Sequence, residues 1–235
     1  MSNVMVNPEL RNKIDSVAGV LQWVQREFSP AALASSFGAE DMVLTDLIQR
    51  FAPDIAIFTL DTGRLNEQTH RLHETTRQRY GVEIEVWYPD TQALQRFVRD
   101  NGINPFYRSV ELRQACCSVR KVQPLSRALT GRRAWITGLR RTQSVTRNRL
   151  PLHEYDTDHG LEKFNPLVSW SEQQVWTYIR AFDVPYNELH DLGYPSVGCA
   201  PCTRAITAGE DVRAGRWWWE NPADKECGLH VRKTG

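Results

Sequence analysis

Short apolar runs alternating with longer polar or amphipathic stretches predict an α/β protein, a mostly parallel sheet flanked by helices on both faces. The apolar runs end in turn residues, and the stretches between them carry helical spacing or helix-forming polar composition. "AALASSFGAEDMVLTDLIQRF" passes from small apolar residues through a Ser/Gly turn into a periodic segment with Met42, Val43, Leu47, Ile48 and Phe51, which reads as strand, loop and helix. "DIAIFTLDTG" is a second apolar run, and the polar helical stretch "LNEQTHRLHETTRQRYG" follows it. "VEIEVWYP" supplies a third strand, "TQALQRFVRDNG" a helix, and "RRAWITGLRR" a fourth strand after the helix that follows "ACCSVRK". From about Lys163 the pattern changes: "SWSEQQ" starts a helix, and an irregular segment rich in Pro and Gly runs to "GCAPC". "TAGEDVRAGRWWWENPADKECGLH" has little periodicity and reads as a tail that docks and moves. The expected organisation is therefore one α/β domain over residues 1–205 and a flexible C-terminal tail over 206–235, without internal repeats.

The 235 residues are enough to bury a substantial core. Twenty-nine Lys and Arg against 28 Asp and Glu leave no global field to attract nucleic acid or membrane, so a small partner is expected and any anion site must arise from local clustering. "MSNVMVNPELRNKI" has no basic stretch leading into an apolar run, and nowhere do about 18 apolar residues follow one another as a membrane span requires. A soluble, cytoplasmic protein is the expectation. In a reducing compartment paired cysteines read first as metal ligands or redox groups, and the odd count of five fits that.

Ligands of such sheets bind beyond the carboxyl ends of the strands, where "SSFGAED", "LDTGRL" and "GLRRTQS" fall. The first of these could present backbone N–H groups and a helix N-terminus to a phosphate, or be a turn with Ser caps. It resembles the "SGGxDS" loop of the adenine-nucleotide-binding PP-loop superfamily, with Ser36, Phe37, Gly38, Ala39, Glu40 and Asp41 at corresponding places. Phe37 replaces a glycine, Ala39 removes a possible contact and Asp41 replaces a hydroxyl, departures that argue against a triphosphate ligand. "GLRR", with Arg147 and Arg149 beyond it, offers planar guanidinium forks for a phosphate or sulfate, or a solvated basic loop. Arg120 and Lys121, and Arg213 and Arg216 in the tail, extend the positive inventory.

Two cysteine pairs carry the strongest local signal. Cys199 and Cys202 have the spacing of a metal knuckle, and with Cys116 and Cys117 four thiolates could close one tetrahedral set. Neighbouring side chains on a helix diverge by about 100°, which suits a cluster several ångströms wide better than a single zinc ion, although both remain open at this point. Cys227 has no partner cysteine. About 25 residues separate it from Cys202, a tether that at about 3.3 Å per extended residue reaches well across a domain. Nearby Arg side chains would favour its thiolate. His230 reads as a solvated neighbour.

Together "SSFGAED", "LDTGRL", "CCSVRK", "TGLRR", "YPSVGCAPCT", "GRWWW" and "ECGLH" resemble the assimilatory adenylyl-sulfate (APS) reductase family, related to the phosphoadenylyl-sulfate (PAPS) reductases, from about Ala32 to His230. The resemblance implies a 4Fe-4S cluster on Cys116, Cys117, Cys199 and Cys202. Members that use PAPS alone typically lack these cysteines but keep "ECGLH". It further implies that Cys227 attacks the sulfur of APS and that a thioredoxin- or glutaredoxin-like dithiol discharges the S-sulfocysteine as sulfite, in assimilatory sulfate reduction and cysteine biosynthesis. On that resemblance the electrons would come from thiols, and the cluster would order the site and, with Lys121, shape the field around the sulfate. Ser35, Ser36, Gly38, Leu60 and Thr62 are expected around the nucleotide, and Lys121, Arg140, Arg141, Arg213 and Arg216 around its anionic end. The alternatives are a PAPS or dual-specificity reductase, a PP-loop enzyme that thiolates tRNA, and a zinc-binding module without activity. A homo-oligomer is compatible with the sequence.

Overall fold

The computed structural model describes residues 6–143, 149–207 and 209–221. Its sheet has six strands in the order β3-β2-β1-β4-β6-β5, with β1 Ala31–Ala34, β2 Ala56–Leu60, β3 Ile84–Trp87, β4 Ala134–Ile136, β5 His153–Asp156 and β6 Leu161–Phe164. β1 pairs in parallel with β2 and β4, setting Ala32 opposite Ala56 and Trp135, and β6 runs parallel to β4. β5, at the edge, runs antiparallel to β6. The expected mostly parallel α/β sheet is therefore present, and the loops after β1 and β4 leave adjacent strands at the same edge.

The helices are α1 Pro8–Glu27, α2 Ala39–Phe51, α3 Glu67–Tyr80, α4 Thr91–Asn101, α5 Val110–Cys117, α6 Gln123–Leu129 and α7 Glu172–Ala181. α1 starts where Asn7 Oδ1 accepts the Leu10 N–H at 2.8 Å and Pro8 begins the helix. It buries Leu10, Ile14, Val17, Leu21 and Val24 on one stripe. α2 buries Met42, Val43, Leu44, Leu47 and Ile48. These side chains join Leu33, Ile57 and Ile136 from the sheet and Val175 and Tyr178 from α7 in one core.

Two elements lie outside the sequence expectation. One is α1. The other is the β5–β6 hairpin, whose exposed edge is polar and whose order comes from tertiary pairs: His153 stacks on Phe164 at 4.3 Å, and Lys163 pairs with Glu154 at 3.3 Å.

The chain divides into two compact units. The first comprises Met1–Thr59, Gln68–Glu85 and Gly131–Asn187, and the second Leu60–Glu67, Val86–Thr130 and Glu188–Gly235. In the second, Asp90 caps α4 and Ser109 caps α5, each side chain accepting an N–H three residues on, at 2.8 and 3.2 Å. A π-helical turn, Ser118–Val122, separates α5 from α6. Residues 206–207 and 209–221 of the expected tail belong to this unit, and 222–235 lie outside the described residues. No helix among the described residues is long and apolar enough to cross a membrane.

Candidate functional site

The second unit gathers the four paired cysteines. Cys116 and Cys117 end α5, directly before the π turn, where the Gln123 N–H reaches back five residues to the Ser118 carbonyl. Such turns widen the helix locally and often accompany functional positions. Cys199 caps and Cys202 ends the short 3-10 turn Ala200–Cys202, held against the chain by the Ala200 N–H donating to Arg64 O (2.8 Å) and the Tyr107 hydroxyl donating to Pro201 O (2.8 Å). All four are buried thiols packed in one cluster with Phe106 and Trp217. Arg120 and Lys121 line the same recess. Among the described residues no three His, Cys, Asp or Glu side chains are grouped as ligands of a single ion would be.

The charges around these thiols differentiate them. Burial raises the Cys199 thiol, yet Lys121, a 3.3 Å contact with the Thr62 hydroxyl, Arg216 and Arg120 together outweigh burial and lower its pKa. Burial pushes Cys202 up to about 12, with the nearby Cys199 adding to the shift. Cys116 is also raised by burial, against the pull of Arg120. Arg120 is itself fixed, donating through Nη1 to Thr62 O at 2.6 Å.

A second construction borders the recess, which Arg113 helps to line. Arg113, on α5 one turn before Cys116, has no exposed surface, and its guanidinium grips Glu220: Nε donates to Oε1 at 3.0 Å and Nη2 to Oε2 at 2.7 Å. Two guanidiniums lie over the Trp217 ring, Arg113 at 4.8 Å and Arg216 at 4.7 Å from its centroid. Trp217 adopts a left-handed backbone, φ 42°, and its N–H donates to Cys202 O at 3.1 Å. Arg216 donates through Nη1 to Ser196 Oγ and Val197 O, both at 3.3 Å. It passes so close to Gly198 that a Cβ there would lie 2.5 Å from Nη2. Arg113, Glu220 and Trp217 are not among the expected site residues; the local signals were the position of Arg113 three residues before Cys116 and the place of Trp217 in "GRWWW".

In the first unit, the "SSFGAED" loop joins β1 to α2. The Ser35 N–H donates to Phe58 O at 2.8 Å, and the Phe37 N–H to Ser35 Oγ at 3.2 Å. Ser36 donates twice to Asp41 Oδ2, from its N–H and its hydroxyl, both at 2.7 Å. Gly38 is the N-cap of α2 with extended backbone and no side-chain cap. Asp41 is buried, and desolvation raises its pKa to about 6 despite the two Ser36 hydrogen bonds. Arg140, after β4, is buried and donates from Nε to Glu40 Oε1 at 2.7 Å and from Nη1 to Thr142 Oγ1 at 2.7 Å. Arg141 is exposed, with Nε donating to Leu150 O at 2.9 Å.

The expected substrate residues thus fall into two groups. Ser35, Ser36, Gly38, Arg140 and Arg141 belong to the first unit, and Leu60, Thr62, Lys121, Arg213 and Arg216 to the second. Thr62, Lys121 and Arg216 all act on Cys199. Arg213 is half-buried, its N–H donating to Asp211 Oδ1 at 2.8 Å. Cys227, His230 and Arg147 lie outside the described residues.

A parallel sheet with a Ser/Gly loop at the first strand, joined in one chain to four buried thiols among cations, defines a class of nucleotide-handling reductase. A model of the phosphoadenosine phosphosulfate reductase domain matches residues 30–205, and the chain belongs to that family. Among its relatives, the adenosine 5'-phosphosulfate reductase of Allochromatium vinosum is 58% identical over 91% of this chain and 84% of its own length. That of Burkholderia cepacia is 51% identical over 96% of this chain and 90% of its own. Of solved structures, the phosphoadenylyl-sulfate (PAPS) reductase from Candida auris, in a phosphate complex, aligns with a TM-score of 0.70 at 27% identity, covering 86% of this chain and 98% of that one. FMN adenylyltransferase from Candida glabrata shares the fold alone, with a TM-score of 0.60 at 14% identity over 96% of this chain and 82% of its own. The expected PP-loop-like architecture and the APS/PAPS reductase resemblance are both borne out.

Proposed function

We propose that this chain reduces adenosine 5'-phosphosulfate to sulfite and AMP, with a thioredoxin-type dithiol as electron donor. The observation that carries the reading is the convergence of two distant cysteine pairs in one buried, cation-lined recess, in a chain whose relatives at 58% and 51% identity are named for APS. The recess also suits a 4Fe-4S cluster. It offers four thiols and two buried donors, Arg120 Nε and Trp217 Nε1, that have no acceptor among the described residues, as sulfur-rich surroundings would supply. Cys116, Cys117, Cys199 and Cys202 would hold that group, which when bound supplies a fixed charge distribution and local order rather than the electrons.

In this reading Lys121 and Arg216, which already pull on Cys199, stabilise negative charge at the recess. The Cys227 thiolate attacks the sulfur of the phosphosulfate. The S–O bond breaks with its electron pair going to the phosphate oxygen, and AMP leaves. One thiol of the dithiol then attacks Cys227 Sγ and expels sulfite, and its second thiol resolves the mixed disulfide, so two thiols supply two electrons. Ser35, Ser36 and Gly38 of the first unit, and Leu60 and Thr62 of the second, are assigned to the nucleotide, and Arg140, Arg141 and Arg213 join the cations assigned to its anionic end.

The test is anaerobic mixing of the protein with APS and no reductant. About one AMP per active chain should be released, with about 80 Da added to the peptide holding Cys227, because a two-step displacement stalls at its covalent intermediate. Cys227→Ser should keep iron and bind APS yet form no adduct. An adduct on one of the other four cysteines, or turnover by the serine variant, overturns the assignment. Preferential turnover of PAPS would move the reading to the substrate in the domain family's name.

A further inference from the structure

A strand–loop–helix junction like that between β1 and α2 ordinarily turns N–H groups and the positive helix end toward a phosphate. Here those donors are already engaged. Ser36 gives both its N–H and its hydroxyl to Asp41 Oδ2 at 2.7 Å, while the Ser35 N–H goes to Phe58 O and the Phe37 N–H to Ser35 Oγ. Asp41 and Glu40 stand in the first turn of α2 and bring two carboxylates to the end that would draw an anion. Glu40 is held there by Arg140.

The arrangement is wedged in place. Gly138, in the loop after β4, has no side chain, and a Cβ there would collide with the Asp41 carboxylate and come within 2.9 Å of Glu40 Cβ. Phe37 fills the adjoining space: it sits in the left-handed region, φ 59°, with its ring buried and edge-on to His73 at 5.5 Å. A glycine there would adopt that backbone without strain. Asp41 is 7% exposed, so a phosphate seeking the Ser36 donors meets a carboxylate that has little room to turn aside.

We propose that the Asp41 carboxylate occupies the phosphate-binding donors of this loop as an internal anion, and so makes the loop a specificity element that rejects pyrophosphate and nucleoside triphosphates. The inference rests on reading the sheet edge as a nucleotide site. It adds which anions that site refuses and which residue refuses them. A helix-capping role alone accounts for the Ser36 hydrogen bonds, but it predicts no change in anion preference when the carboxylate is removed.

The test measures binding of inorganic pyrophosphate, ATP and AMP by isothermal titration calorimetry to the wild-type chain, Asp41→Asn, Asp41→Ser and the double variant Phe37→Gly/Asp41→Ser. Asp41→Asn keeps the size and shape of the carboxylate and is the variant most certain to fold. Asp41→Ser should bind pyrophosphate and ATP at least tenfold more tightly than wild type, the double variant more tightly still, and Asp41→Asn should show a smaller gain. AMP affinity should change less than threefold. Unchanged pyrophosphate and ATP affinity in folded Asp41→Asn and Asp41→Ser overturns the proposal. So does a gain shared equally by AMP, which would mean that the carboxylate only shapes the loop. If wild type fails to bind AMP, the nucleotide reading fails, while the pyrophosphate comparison still decides the role of Asp41.

Discussion

The loop after β1 and the recess around the paired cysteines treat charge in opposite ways. The loop has the backbone of an anion site but is supplied with two carboxylates of its own, Glu40 and Asp41, each bound by neighbours of the first unit. The recess places Lys121, Arg120 and Arg216 about thiols, enough to lower Cys199 although it is buried. Negative charge is therefore internal and already matched in one region, and is drawn toward the protein in the other. The lesson is that a loop's place in a fold does not establish its chemistry; the electrostatic partners do.

The comparison breaks most readily at Arg113 and Glu220. Their side chains are 0% and 3% exposed and joined bidentately. Removing one partner strands a buried charge, so Arg113→Ala or Glu220→Ala should lose about 3–5 kcal/mol of stability, read from urea unfolding. The pair joins the helix bearing Cys116 and Cys117 to Glu220, seven residues before Cys227 in sequence, a span of at most about 24 Å when extended. Glu220→Gln, which keeps shape, should therefore slow adduct formation on Cys227 more than it weakens APS binding. A stability change under about 1 kcal/mol in the alanine variants would show that the second unit is not organised by this pair.

A smaller effect is expected at Gly198. Any side chain there meets the Arg216 guanidinium at 2.5 Å, so Gly198→Ala should cost about 1–3 kcal/mol as overpacking does and raise the KM for APS by displacing Arg216 from Ser196 and Val197. An unaltered KM in a folded variant would remove Arg216 from the cations assigned to the substrate.

How much of this was legible follows from what kind of contact builds each part. β1 through β4 follow from short apolar runs that end in turn residues, and α2 from a periodicity that buries Met42, Val43, Leu47 and Ile48. α1 lies outside the sequence expectation, although Asn7, Pro8 and the spacing of Leu10, Ile14, Val17, Leu21 and Val24 carry its signal. The β5–β6 hairpin was not, since cross-strand pairs such as Lys163 with Glu154 order it rather than an apolar alternation. The cysteine pairs were legible because their spacing is local and their chemistry narrow. The Arg113–Glu220 pair was not, as 107 positions separate its members and neither has a local pattern. The boundary expected at 205/206 marks where periodicity ends, whereas the second unit is assembled from three separate stretches of chain. Phe37 and Asp41 were noticed as departures from a phosphate loop, but only the fold reveals that Asp41 turns back onto Ser36.

Asp41 also carries the finest of these tests, because its carboxylate is held at a cost. Burial raises its pKa from 3.8 to about 6. Between those values the folded chain keeps a proton that the unfolded chain has released, so the contribution of this group to stability is full below about pH 4, falls as the pH rises through 6, and is flat above that. A shift of this size bounds the loss at about 3 kcal/mol. Asp41→Asn removes the titration and leaves every other ionisable group in place. The difference in stability between variant and wild type, measured by urea unfolding at pH 4, 5, 6 and 7, should therefore move steadily in favour of the asparagine variant across that window. A carboxylate kept where its ionisation weakens the fold calls for a role that an amide cannot fill, and exclusion of a second anion is such a role. Parallel pH profiles for the two proteins would show instead that the Ser36 hydrogen bonds fully offset the burial of Asp41, and the contrast between the loop and the recess would lose its energetic basis.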